Sequence, residues 1–209
     1  MIKGFIHEDN DEQFLVANTF ILGKGGQDCI VFDCGDRSDT VPDYCKANFK
    51  KVLGILITHA HFDHIRGISH FLSCFNNQKI PVYIHEDDYE MLMNTDLNGG
   101  VEIDFDPILV KDDQILTFDS TNIKVIHTPF HTPGSVCYLS EEDNALFTGD
   151  TLFKGSIGRS DLPLGDSTKV EDSLKKFETL SDMLVCYPGH GPVTNLGSEK
   201  KNNPYLKKE

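Results

Sequence analysis

Short apolar runs rich in β-branched and aromatic residues recur along the chain between polar turns. They predict strands over Phe14–Leu22, Cys29–Asp33, Val52–Thr58, Val82–His85, Ile115–Phe118, Ile123–His127, Val136–Leu139, Ala145–Thr148 and Met183–Tyr187. Amphipathic stretches among them predict helices over Asp39–Lys50, His64–Phe75, Glu86–Met93 and Ser167–Leu180. In the last of these Ser167 reads as the N-cap, and Val170, Leu174, Phe177 and Leu180 share one face. Helices occur early, in the middle and late among many strands, which suggests two sheets packed face to face with helices outside. No internal repeat, low-complexity tract or linker rich in Pro, Gly or Ser marks a boundary, so residues 1–209 read as one domain. Clusters of His, Asp and Gly fall just after the strands, where a rigid scaffold presents functional side chains.

Composition narrows the function classes. With 39% hydrophobic and 25% charged residues in 209, the chain is an ordinary globular sequence, long enough for a sizeable core. A net charge of −14 would repel a phosphate backbone, so nucleic acid is not an expected partner. No apolar run approaches the roughly 20 residues a bilayer span needs, and acidic residues enter within the first dozen positions, where a signal peptide would be apolar. A cytoplasmic protein without membrane contact is expected. Six cysteines without any C-x-x-C pair read as reduced thiols.

The densest chemistry is Thr58-His59-Ala60-His61-Phe62-Asp63-His64, directly after the apolar run Val52–Ile57. Several imidazoles in one loop repel when charged and pack poorly when neutral, and a divalent cation resolves both problems. In an extended segment His59 and His61 share a face, while Asp63 and His64 turn elsewhere as the chain enters a helix. That suggests two metal sites. Three further candidates stand in Gly- or Pro-rich turns after strands: His131 in T-P-F-H-T-P-G, Asp150 closing L-F-T-G-D, and His190 in Y-P-G-H-G-P. A carboxylate such as Asp150 has two oxygens with which to bridge two cations.

Together T-H-A-H-F-D-H, His131, T-G-D and P-G-H-G resemble the metallo-β-lactamase fold superfamily. More narrowly, the G-S-I-G-R-S-D segment ending at Asp161 and the P-G-H-G tail around His190 resemble short glyoxalase II-like hydrolases, over about residues 13 to 206. The resemblance implies an αββα sandwich of two mixed sheets flanked by helices. It also implies two divalent ions, zinc first with iron or manganese also suited to His/Asp shells. His59, His61 and His131 would hold one ion, Asp63, His64 and His190 the other, and Asp150 would bridge them. A shared water made acidic by two cations would attack a thioester such as S-lactoylglutathione at neutral pH, with Asp63 and Asp150 as the catalytic carboxylates.

Arg66, at a position where many members carry Gly, is a candidate substrate contact, and Arg159 with Asp161 a candidate support for the site loop. Phe130 and Cys34 also depart from the family pattern and could reshape the pocket, Cys34 becoming reactive if it lies beside a cation. Long glyoxalase II enzymes add a C-terminal helical region that contacts glutathione, which is not expected here because the sequence ends soon after Pro204. The expected partner is a small thioester or ester, with oligomeric state open. The competing readings are a persulfide dioxygenase-like enzyme with one iron on two His and an Asp, and a hydrolase of other esters or lactones. Gly191 argues against the dioxygenase.

Overall fold

Strict alternation along the strands dictates the layers. In β2 (Thr19–Lys24), Phe20 and Leu22 point one way and Ile21 the other. In β3 (Asp28–Phe32), Ile30 and Phe32 oppose Cys29 and Val31. The same two-residue period splits β9 (Val136–Ser140) and β10 (Ala145–Gly149): Val136, Tyr138, Ala145 and Phe147 face one core, Cys137, Leu139 and Leu146 another. A strand apolar on both faces must be covered on both, so the chain stacks two sheets and lays helices on each outer face.

The computed structural model describes residues 1–6, 16–24, 27–75, 77–119 and 121–207. The first sheet has the order β1-β2-β3-β4-β5-β6, adding β1 (Ile2–Phe5), β4 (Lys51–Leu56), β5 (Val82–His85) and β6 (Ile108–Val110). Its first two pairings are antiparallel and the other three parallel. The second sheet has the order β12-β11-β10-β9-β8-β7, adding β7 (Ile115–Phe118), β8 (Thr121–His127), β11 (Val185–Pro188) and β12 (Thr194–Asn195). All its pairings are antiparallel except β10 with β11.

Phe32 and Phe147 join the inner faces, their rings stacked 3.5 Å apart and 8° from parallel. Outside the first sheet lie α1 (Thr40–Asn48), α2 (Phe62–Ile65), α3 (Ile68–Ser73) and α4 (Tyr89–Met93). Outside the second lie α5 (Val170–Lys175) and α6 (Leu196–Asn202). These are the two mixed sheets with flanking helices that the sequence implies.

Differences lie at ends and edges and in two of the expected helices. Phe14 and Leu15, the start of the expected first strand, lie outside the described residues, and β2 begins at Thr19. The helix expected over His64–Phe75 is two helices, α2 and α3, parted at Arg66 and Gly67. Gly67 lies against the Asp36 and Cys34 carbonyls with no room for a Cβ, and its amide donates to Cys34. The expected last helix is a short α5 flanked by two 3₁₀ turns, its entry capped by the Asp166 carboxylate rather than Ser167. Three edge strands, β1, β6 and β12, and the helix α6 are additions. The strands have four residues or fewer and are defined by their pairing, too short to show a periodicity of their own.

Candidate metal centre

Strand ends deliver the site. β4 runs out at Leu56 into the His59–His64 loop, β8 and β9 flank the turn that carries His131, β10 ends one residue before Asp150, and β11 ends two before His190. Three side-chain groups converge there, the donors within each lying within 4.8 Å of one another: His59, His61 and His131; Asp63, His64 and His190; and His59, His64 and Asp150. Asp150 stands among them, Oδ1 3.3 Å from His64 Nε2, and Oδ2 3.4 Å from His131 Nε2 and 3.7 Å from His190 Nε2. Asp63 Oδ2 is 3.0 Å from His190 Nε2 and 3.8 Å from His64 Nε2. The structure thus gathers in one place all seven residues that the sequence offers as ligands.

The orientation of three imidazoles is fixed from behind. His64 Nδ1 donates to Asp33 Oδ2 at 2.9 Å, and His131 Nδ1 donates to the Arg159 carbonyl at 2.6 Å. Thr58 Oγ1 gives its proton to Asp33 Oδ2, so His59 Nδ1 donates to that hydroxyl at 3.2 Å. Each ring therefore turns Nε2 inward. The Nε2 atoms of His59, His64 and His131 and Oδ1 of Asp150 are buried and have no hydrogen-bond partner among the described residues. A buried polar atom without a partner costs about 1–3 kcal/mol, and four donor atoms converging at one point fit a cation, which would take the place of the proton on His64.

Glycine makes the approach possible. At Gly189 a Cβ would collide with Asp150 Oδ1 and the His64 ring, and at Gly149, whose φ is +47°, with the Thr58 side chain.

Charge follows from the same geometry. Burial and the neighbouring imidazoles hold His59 well below its ordinary value and bring His61 down to about 4. For His64, burial opposes the charged form, but Asp33, Asp150 and Asp63 outweigh it and raise the imidazole well above its usual range. His190 is raised too, burial being overcome by the hydrogen bond to Asp63 and the charge of Asp150. Asp63 and Asp150 are lowered despite burial, each by His64 and the other histidines around it.

Metal loading at neutral pH is therefore expected to release up to about two protons per chain, from the raised His64 and His190, while His59 and His61 have none to give. Calorimetry in two buffers of different ionisation enthalpy measures this, and heats that do not depend on the buffer would contradict it.

The supporting candidates take particular places. Arg66 donates from Nε to the Gly35 carbonyl at 2.9 Å and packs its guanidinium 5.9 Å from the Phe62 ring, bracing the loop beside Asp63. Arg159 and Asp161 form an exposed bidentate pair at 2.9 Å, and it is the Arg159 carbonyl, not its guanidinium, that meets a site residue. Phe130 is fully buried under the second sheet. Cys34 is buried as well, and burial pushes its thiol far up, away from reactivity.

Two residues escape a reading of the sequence. Asp33 accepts from the Thr58 amide and hydroxyl, both at 2.7 Å, as well as from His64. Asp88 ties the first loop to the His131 turn by accepting from Ala60 N, Thr132 Oγ1 and Gly134 N. The only local trace of either is a carboxylate just beyond a strand.

Residues 13–190 match the Metallo-beta-lactamase superfamily. A probable metallo-hydrolase, YqgX of Bacillus subtilis, is 34% identical over 198 residues, which cover 91% of this chain and 92% of that protein. The hydroxyacylglutathione hydrolase GloC of Haemophilus influenzae is 32% identical over 158 residues, covering 73% and 74%. Among solved structures, the BLEG-1 B3 metallo-β-lactamase superposes with a TM-score of 0.85 at 32% identity over the whole of both chains. TTHA1623 in a di-iron-bound form superposes with a TM-score of 0.79 at 31% identity, covering 92% of this chain and 96% of that one. The fold, the inward-facing donors and a family match over most of its length lead to one conclusion: the chain belongs to the metallo-beta-lactamase superfamily of metallo-hydrolases, whose members bind divalent metals.

Proposed function

We propose that residues 1–209 act as one hydrolase domain that holds two divalent ions, zinc first with iron or manganese as alternatives, and cleaves a thioester of the S-lactoylglutathione type. His59, His61 and His131 would hold one ion, Asp63, His64 and His190 the other, with Asp150 between them. The observation that carries this reading is the set of four buried, unpartnered donor atoms, three of them imidazole nitrogens whose opposite nitrogen is already engaged. Ions at such a site lower the pKa of bound water and polarise a carbonyl oxygen. Asp63, kept ionised by His64 and His190, accepts a hydrogen bond from the attacking water and orients it. The Arg159 carbonyl and the Thr58 hydroxyl keep His131 and His59 from rotating as the substrate enters. A thiolate leaves without needing a proton from the protein, which suits a donor set committed to metal. The Haemophilus influenzae relative is named a hydroxyacylglutathione hydrolase, which makes a glutathione thioester the first substrate to try.

Purified, metal-loaded protein is expected to hydrolyse S-lactoylglutathione, with thioester loss stopped by a chelator and restored by metal. Protein that holds two ions per chain and leaves the thioester intact would overturn the thioester assignment and turn the search to other esters and lactones. A dioxygenase reading draws on one observation, that His59, His64 and Asp150 also form a group of two imidazoles and a carboxylate. One iron per chain with oxygen uptake would favour it.

A further inference from the structure

A second cluster of metal-type donors lies outside the centre, between α1 and α3. Asp39 Oδ1 is 2.8 Å from His70 Nε2, and Cys74 Sγ is 3.7 Å from Asp39 Oδ1 and 3.8 Å from His70 Nε2. His70 and Cys74 stand four residues apart, on α3 and at its C-terminal end, so the helix sets them on one face. The opposite side of α3, Ile68 and Phe71, is buried in the core. Asp39 comes from the residue preceding α1.

Three features separate this cluster from an ordinary surface ion pair. Asp39 occupies the N-cap position of α1, yet its carboxylate makes no capping hydrogen bond and turns to His70 and Cys74 instead. An aspartate at that position normally accepts from the first turn, at a gain of roughly 1 kcal/mol. A third donor of the metal-ligand type joins the Asp–His pair, since the Cys74 thiol lies against both partners and donates to Asp39. Finally, carboxylate and thiol converge on the same imidazole nitrogen, Nε2. A nucleophile relay needs the base and its orienting acid on opposite nitrogens, whereas a chelate needs all donors to face one point. Ligand bonds of about 2.0–2.3 Å in a tetrahedral shell place O, N and S donors roughly 3.3–3.6 Å apart, within about half an ångström of the separations here.

We infer that Asp39, His70 and Cys74 form an auxiliary site for a thiophilic divalent cation of the zinc class, with water completing the shell. On binding, the Cys74 proton and any proton on His70 Nε2 pass to solvent, leaving a thiolate and a neutral imidazole as ligands. The ion would clip the start of α1 to the end of α3, the helix that follows the Asp63–His64 segment. The inference is independent of the proposed function, because the hydrolytic centre contains no cysteine.

That difference supplies the test. Titrating Cd²⁺ into zinc-loaded protein is expected to raise a thiolate-to-metal charge-transfer band that saturates at one ion per chain. The band should vanish in Cys74→Ser. It should also need far more Cd²⁺ in His70→Ala and Asp39→Ala, beyond the roughly 10–100-fold that loss of a mere supporting hydrogen bond costs. Metal counted by mass spectrometry should fall by one per chain in Cys74→Ser, with circular dichroism and the metal content of the hydrolytic centre unchanged. Absence of the band in the wild type would overturn the site. So would its persistence in Cys74→Ser, or affinities in His70→Ala and Asp39→Ala equal to the wild type.

Discussion

Asp150→Ala is expected to abolish hydrolysis and to empty the centre of metal while leaving the fold in place. One carboxylate faces three histidines, Oδ1 toward His64 and Oδ2 toward His131 and His190. On the proposed assignment its loss removes the donor that both ligand groups would share, so affinity should fall by more than the roughly 10–100-fold typical of losing an outer-shell partner. The side chain belongs to none of the three apolar clusters, and its removal opens no hydrophobic cavity. Metal analysis, turnover and a circular-dichroism melt on the same preparation check the prediction. Wild-type turnover with both ions retained would rule out a bridging role.

Asp33→Asn should have the second largest effect, although Asp33 is not a ligand. The substitution keeps size and shape but replaces one acceptor oxygen with an amide donor. Asp33 now receives three hydrogen bonds, from Thr58 N, Thr58 Oγ1 and His64 Nδ1. An amide facing His64 forces the other tautomer, with Nδ1 accepting and a proton on Nε2, the nitrogen that must present a lone pair inward. Metal affinity measured by chelator competition should drop about 10–100-fold. The metal-free protein should lose about 1–3 kcal/mol in denaturant unfolding as hydrogen bonds to a charged group are weakened. Unchanged affinity would mean that His64 does not depend on Asp33 for its orientation.

Both variants show why part of the site is visible in one dimension and part is not. His59, His61, Asp63 and His64 lie within six residues and announce themselves by density alone. His131, Asp150 and His190 are recognisable through the Gly- and Pro-rich turns around them. Asp33 acts on Thr58 and His64 across 25 and 31 positions, and Asp88 on Ala60 and Thr132 across 28 and 44. In the sequence each is one carboxylate among 33 acidic residues. His70 and His85 belong to no motif that stands out along the chain, yet one meets Asp39 from 31 positions away and the other stacks on His127 with ring centroids 3.8 Å apart.

The sequence by itself determined the layered architecture, because alternation at period two and apolar faces on the helices are local properties of the chain. It also determined the candidate donor residues, because chemistry of that density is rare without a ligand. Only the tertiary structure decided the short edge strands, the break between α2 and α3 and the inward aim of Nε2 in His59, His64 and His131. It also decided the meeting of α1 with α3 at Asp39 and Cys74. These depend on hydrogen bonds and close approaches between residues tens of positions apart, and such contacts exist only once the sheets have stacked.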